Sequence, residues 1–268
     1  MEMKHALLVF TKVPKAGEVK TRLTEDRGGI LTPEEANGFY ESCVLDVIDT
    51  CLTVEGVDVW VCYNKDGNRA DLDGLLQGVK GSEKIVGVFP DAGGSFDDCM
   101  QYATDYILKN GAEDRLADAV TILGGDLPSL QRKTIEEAIS KLDRLSKLSA
   151  TGAALVQGAC QEGGFSLVGL TTSTPFDFHK VFYNMDGITA LDMLVNKVVE
   201  ENIPFGTVEM MPDVDIPVDL ASILPLLRAL EAAQKNDPSV TVPRRTMEKF
   251  KEIGLETFAF PPHRDEIG

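Results

Sequence analysis

The chain has 268 residues, 43% apolar and 7% aromatic, enough for one large domain, or one domain with a tail, around an ordinary core. Asp and Glu outnumber Lys and Arg by 43 to 26, a net charge of −17 that argues against nucleic acid and anionic membrane surfaces as partners. No apolar run reaches the length of a membrane span, and any phosphate ligand needs a local basic pocket or a metal ion to screen the negative surface.

The N-terminus, Met-Glu-Met-Lys-His, enters a short apolar strand with no cleavable small-residue site, so no signal peptide is expected. Ala6 to Phe10 (ALLVF) reads as a strand buried on both faces. After a polar loop, Thr32-Pro33-Glu34-Glu35 supplies an N-cap, a first-turn proline and a capping-box glutamate. The spacing of Ala36, Phe39, Tyr40, Cys43, Val44, Val47 and Ile48 carries the helix on. Val57 to Tyr63 predicts a second strand, Asp71 to Val79 a short helix, and Ile85 to Phe89 a third strand. A helix from about Phe96 to Asn110 closes at Gly111, Val120 to Leu123 is the fourth strand, and a helix follows over Gln131 to Leu145.

Beyond this point strict alternation relaxes. Ala153 to Gln157 and Phe165 to Leu170 read as two strands, expected as an antiparallel insertion at the sheet edge. A helix over Thr189 to Glu201 and a strand over Phe205 to Met210 come next, then a helix opening at Pro217 and kinked at Pro225. Residues 1–236 are expected to form the main domain. Residues 237–268, with an amphipathic stretch from Met247 to Ile253 and a proline-rich end, are expected to form a C-terminal appendage. Cys43, Cys51, Cys62, Cys99 and Cys160 include no C-x-x-C pair and have apolar neighbours. They read as buried thiols in a reducing, cytoplasmic compartment.

Strand-helix alternation in the first half implies a mainly parallel sheet with helices on both faces, whose ligands bind at the carboxyl ends of the strands. The loops after Phe10, Phe89 and Leu123 are therefore the informative ones. The first holds Lys12, Lys15, Lys20 and Arg22 in an otherwise acidic chain. Gly17 lets backbone N–H groups approach an anion, while Lys20 and Arg22 can neutralise phosphate oxygens. A solvated basic turn is the plainer alternative. No G-x-x-x-x-G-K-[ST] loop is present.

The second site is Gly124-Gly125-Asp126-Leu127-Pro128, where Asp126 could hold Mg²⁺ or Mn²⁺ or cap the following turn. Asp213 and Asp215 would project alike from an extended segment and offer two oxygens to one metal. Asp215 could instead serve the N-terminal end of the Pro217 helix. Glu162, beside Gly163 and Gly164, is a candidate base or an ordinary turn residue.

Together these segments resemble a family. Phe10, Lys12, Pro14, Gly17, Lys20, Thr21, Arg22 and Leu23 match the F-x-K-x-P-x-x-G-x-x-K-T-R-L opening of glycosyltransferase-A-like nucleotide-diphospho-sugar transferases of the radical-SAM/selenodomain-associated type. Gly124-x-Asp126-x-Pro128-x-Leu130 matches a second motif. Glu162-Gly163-Gly164-Phe165 resembles a D-G-G-Y segment, and Asp213-Val214-Asp215-x-Pro217-x-Asp219-Leu220 resembles a D-V-D-T-P-E-D-L ending. A more distant likeness reaches molybdenum-cofactor and phospholactate nucleotidyltransferases. Glu162 and Gly94-Ser95-Phe96-Asp97-Asp98-Cys99-Met100 depart from the pattern: an Asp becomes Glu, and an arginine is lost.

The resemblance implies an α/β glycosyltransferase-A fold with a mainly parallel mixed sheet. It implies nucleotide phosphates held by Lys12, Gly17, Lys20, Thr21, Arg22 and Gly124. Asp126, with Asp213 or Asp215, would hold Mg²⁺ or Mn²⁺, and Asp126 and Glu162 are the catalytic candidates. The expected function is a metal-dependent nucleotide-diphospho-sugar transferase acting on a small-molecule acceptor. A nucleotidyltransferase that uses a nucleoside triphosphate is one alternative, and a nucleotide-binding module without turnover is another.

Overall fold

The computed structural model describes residues 3–182, 184 and 187–255. Met1, Glu2 and the proline-rich end fall outside the described residues. Seven strands form one sheet: β1 (His5–Thr11), β2 (Val57–Tyr63), β3 (Ile85–Pro90), β4 (Ala119–Gly124), β5 (Leu155–Ala159), β6 (Phe165–Thr171) and β7 (Phe205–Thr207). Seven α-helices accompany them: α1 (Pro33–Leu52), α2 (Arg69–Leu76), α3 (Phe96–Leu108), α4 (Arg132–Ser146), α5 (Ala190–Glu200), α6 (Pro217–Gln234) and α7 (Arg244–Ile253).

The apolar run Ala6–Val9 is fully buried because β1 lies near the middle of the sheet, in the order β3-β2-β1-β4-β6-β5-β7. β1 pairs in parallel with β2 and β4, and β2 with β3. Side chains alternate across this strand. Leu7 and Val9 join α1, α2 and α4 in one core cluster, while Ala6 and Leu8 join α3 and α5 on the other face. A third cluster, under α1, α6 and α7, holds Phe39, Leu224 and Phe250.

α1 starts where its sequence signals it. The Thr32 Oγ1 accepts from Glu35 N at 3.2 Å, and Glu35 returns the bond from Thr32 N at 2.8 Å. α6 runs on through Pro225 to Gln234. All five cysteines are free and buried.

The antiparallel pair sits differently from its expected place. β6 lies inside the sheet, antiparallel to both β4 and β5, and the short strand β7 forms the edge by pairing in parallel with β5. Leu167–Leu170 is buried throughout, including Gly169, which packs under Leu142. Such a segment is too apolar for an edge. β7 ends at Thr207, but Val208 N and Met211 N still donate to Gln157 O (2.8 Å) and Ala159 O (2.9 Å). That lead carries the chain along β5 to the Asp213–Asp215 segment. The carboxyl ends of β1–β4 and the start of β6 thus meet at one edge.

A cavity at the carboxyl edge of the sheet

That edge opens into a cavity of about 900 Å³. Each parallel strand contributes the residues that follow it, as sheets of this kind require: Lys12 after β1, Asn64 after β2, Asp91 after β3, and Asp126 after β4.

The first loop is tied at its root. Tyr40, on α1, takes a hydrogen bond from Lys12 N at 3.0 Å and shares another with Thr11 Oγ1 at 2.8 Å. The Asn64 side chain accepts from Val13 N at 2.7 Å. Burial, and then the nearby Asp126 charge, push the Tyr40 phenol up to about 12, so it stays protonated as a donor. The loop ends in a single helical turn, Thr21–Leu23, anchored by the fully buried Leu23. Lys12, Thr21 and Arg22 border the cavity, with Lys12 and Arg22 exposed to it. Gly17 takes a positive φ of 79° in the exposed part of the loop and lies outside the cavity wall.

Lys20 turns inward. Its backbone is left-handed (φ 48°, ψ 34°), and its side chain is only 6% exposed. The ammonium lies between two carboxylates, 2.6 Å from Asp126 Oδ2 and 2.5 Å from Asp215 Oδ1, and 5.5 Å from the centre of the Tyr40 ring. Burial works against its charge, but Asp126 and Asp215 more than offset that and hold it above the ordinary lysine range.

Asp126 reaches the cluster because β4 ends in two glycines. A Cβ at Gly124 would come 2.6 Å from Asp126 Oδ1, and one at Gly125 would come 3.0 Å from Thr11 Oγ1. Asp213 and Asp215 come from a segment far along the chain, and the structure brings them to the same cavity as Lys20 and Asp126. The helix-end role considered for Asp215 belongs instead to Asp219, whose carboxylate accepts from Asp215 N (2.8 Å) and Ile216 N (2.9 Å). Burial is again outweighed at Asp215, where Lys20, Arg22 and Lys12 hold the carboxyl below the usual range. Asp213 behaves oppositely: burial, with Asp126 and Asp215 close by, raises it to about 7.

Glu162 is not drawn in. It sits exposed in a turn with φ 56°, outside the cavity wall. Asp97 and Asp98 are occupied as well, the first accepting from Phe182 N (2.8 Å) and the second closing a capping box with Ser95. Tyr40, Asn64 and Asp91 also line the cavity, beyond the residues expected from the sequence. Asp91 shapes the wall by accepting from Lys65 N (3.0 Å) and Gly93 N (2.9 Å). Asn64 and Asp91 each follow directly after an apolar strand, the same signal that marked Asp126. Tyr40 carries no such mark, because it sits mid-helix among core residues.

The mainly parallel sheet with its antiparallel β6 is the fold of nucleotide-diphospho-sugar transferases, as a solved structure shows. A crystal structure from Desulfovibrio desulfuricans G20, provisionally named a nucleotide-diphospho-sugar transferase, superposes with a TM-score of 0.69 at 19% identity, covering 96% of this chain and 100% of that one. The chain belongs to the DUF2064 family, described as "uncharacterized protein conserved in bacteria", whose model matches residues 47–185. A Methanothermobacter nucleotidyl transferase aligns less closely, at TM-score 0.49 and 14% identity over 85% of this chain and 100% of that one. A Pyrobaculum calidifontis mannosyltransferase solved with GDP-Man and Mn²⁺ gives TM-score 0.42 and 10% identity over 95% and 71%. No curated protein sequence matches the chain.

Proposed function

We propose that the chain is a transferase that binds the phosphates of a nucleotide or nucleotide-sugar in this cavity, beside a divalent cation held by Asp126 with Asp213 or Asp215. The observation that carries the reading is the cluster of three carboxylates and one buried lysine at the carboxyl edge of a parallel sheet, bordered by the exposed Lys12 and Arg22. The cavity is at the upper end of the range for small-molecule sites and suits a ligand of nucleotide-sugar size.

The donor set fits a hard cation in chemistry, since carboxylate oxygens are what Mg²⁺ and Mn²⁺ take. Among the described residues no three side chains are already arranged as a coordination group, and the Lys20 ammonium holds the place between Asp126 and Asp215. Burial, with Asp126 and Asp215 beside it, holds the Asp213 carboxyl above the ordinary carboxylate range. When bound, a divalent cation would neutralise phosphate oxygens and the charge that develops on the departing one.

The chain's own residues do the rest. Lys12 and Arg22 attract and orient phosphate oxygens, Arg22 with two parallel N–H groups. Tyr40 and Asn64 hold the loop that presents them. In glycosyl transfer, an acceptor oxygen bonds to the anomeric carbon, the bond from that carbon to the diphosphate breaks, and the nucleoside diphosphate leaves. The acceptor's proton passes to a carboxylate of the cluster, for which Asp213 is the candidate base, since Glu162 lies outside the cavity wall. In the alternative nucleotidyl transfer, the acceptor oxygen bonds to the α-phosphorus of a triphosphate and pyrophosphate leaves.

A thermal-shift panel of nucleoside triphosphates and nucleotide-sugars, with and without Mn²⁺, tests the reading on the wild type, Lys12→Ala and Asp126→Ala. At 100 times its dissociation constant, a ligand of the native state adds about 2.7 kcal/mol. A metal-dependent shift that both variants lose supports the site and names the donor class. No shift with any nucleotide would remove the basis of the proposal.

A further inference from the structure

One side of the cavity carries no charge. Phe10 from β1, Phe96 from the first turn of α3, Phe165 from β6 and Phe182 from the segment before α5 all line it. Their rings meet in series, Phe10 to Phe96 at 5.5 Å, Phe96 to Phe182 at 4.6 Å, and Phe182 to Phe165 at 5.0 Å between centroids. The buried side chains of Met100, Ile122 and Val168 also line this side. Phe96 remains 38% exposed. Four elements converge to build an aromatic wall that stays open to the cavity, which the packing of the core alone does not require.

Polar atoms next to the wall are partly engaged within the fold. Among the described residues bordering it, the Asp97 carboxylate accepts from Phe182 N at 2.8 Å, and Ser166 Oγ donates to Met211 O at 3.1 Å. The fold thus already uses one oxygen of Asp97 and the hydroxyl hydrogen of Ser166. Phe10 is the register partner of Gly124, two residues before Asp126, so the wall begins beside the charged cluster. A molecule resting on the rings is therefore within reach of a phosphate held by Lys12 and Arg22.

We propose that this wall is the seat of the second substrate, and that this substrate carries an aromatic or unsaturated hydrocarbon body rather than being a free sugar. Apolar ring faces favour such a body over a polyhydroxylated one, because the rings themselves offer hydroxyls no hydrogen-bond partner in exchange for water. The inference rests on the transferase reading of the same cavity.

Saturation-transfer NMR on the full chain tests it, with 4-methylphenol and methyl glucoside as probes and with UDP plus Mn²⁺ present or absent. The wild type is expected to transfer saturation to 4-methylphenol and not to methyl glucoside. Phe96→Ala and Phe182→Ala should cut the phenol signal at least fivefold, and Phe96→Leu, which keeps an apolar side chain, should retain most of it. Each variant's melting temperature is checked so that a misfolded protein is not scored. Equal phenol signals in the wild type and both alanine variants, or a signal from methyl glucoside alone, would overturn the proposal. The two readings fail separately: nucleotide binding without phenol binding removes the aromatic seat, and phenol binding without any nucleotide binding removes the transferase.

Discussion

Lys20 is the residue on which the charge balance turns. Its ammonium neutralises Asp126 and Asp215 from a position with almost no access to water. Lys20→Met would leave both carboxylates without that counter-ion. One partner is half exposed, so the cost is less than that of a fully buried pair, about 2 kcal/mol at pH 8. Urea unfolding should show this loss, and 1 mM Mn²⁺ should restore part of it in the variant while changing the wild type little. Asp213 supplies the pH dependence. Its folded value lies near 7, above the ordinary carboxylate value of the unfolded chain. Between these values the folded protein binds more protons, so stability contributed here falls as pH rises through that window and levels off above about 7. Asp213→Asn should flatten this part of the stability curve and stabilise the protein more at pH 8 than at pH 5.5. The basic loop and Asp126 were legible in the sequence because charge reverses locally and glycines follow an apolar strand. Tyr40 was not, since its role depends on the crossing of α1 beneath β1. The position of Lys20 was legible, but its partners were not. Which carboxylates an ammonium meets is decided by how residues 20, 126 and 215 fold together.

At the scale of elements, two caps make a controlled comparison. Thr32 closes the start of α1 at a distance from the charged cluster, and Asp219 closes the start of α6 while fixing the backbone of Asp215. Thr32→Ala should cost about 1 kcal/mol in chemical denaturation and leave nucleotide binding unchanged. Asp219→Ala removes a buried acceptor from two backbone N–H groups and should cost about 1–2 kcal/mol. It should also weaken nucleotide binding severalfold in titration calorimetry, because the Asp213–Asp215 segment loses its hold. Strand and helix existence was readable from period and caps almost throughout. The placement of β6 was not, because two adjacent apolar strands look alike whether they end a sheet or run inside it. The partner that decides the matter, β7, was expected over Phe205 to Met210 but forms only Phe205–Thr207, and its pairing with β5 has no signal in the sequence.

For the whole molecule, the acidic surface and the C-terminal helix set the terms. With a net charge of −17, any polyphosphate would approach against the long-range field, which Lys12, Arg22 and Lys65 oppose locally at the cavity. The expected C-terminal appendage carries α7, which lies on α1. Phe250 stacks on Phe39 with centroids 5.0 Å apart, Arg245 pairs with Asp46 and Asp49, and Thr246 Oγ1 donates to Asp46 at 2.9 Å. α1 also carries Tyr40, so this packing steadies the helix that holds the first loop. Phe250→Ala opens a cavity under α1 and should lower stability by about 3 kcal/mol, read by calorimetry.

The most direct test of the central claim is electron paramagnetic resonance of Mn²⁺ with the wild type and with Asp126→Asn, each with and without a nucleoside diphosphate. The account predicts a bound-Mn²⁺ signal that grows with nucleotide in the wild type and is lost in the variant. Equal Mn²⁺ binding by the two proteins, or none in the wild type with any nucleotide, would contradict a metal-assisted phosphate site at the edge of this sheet.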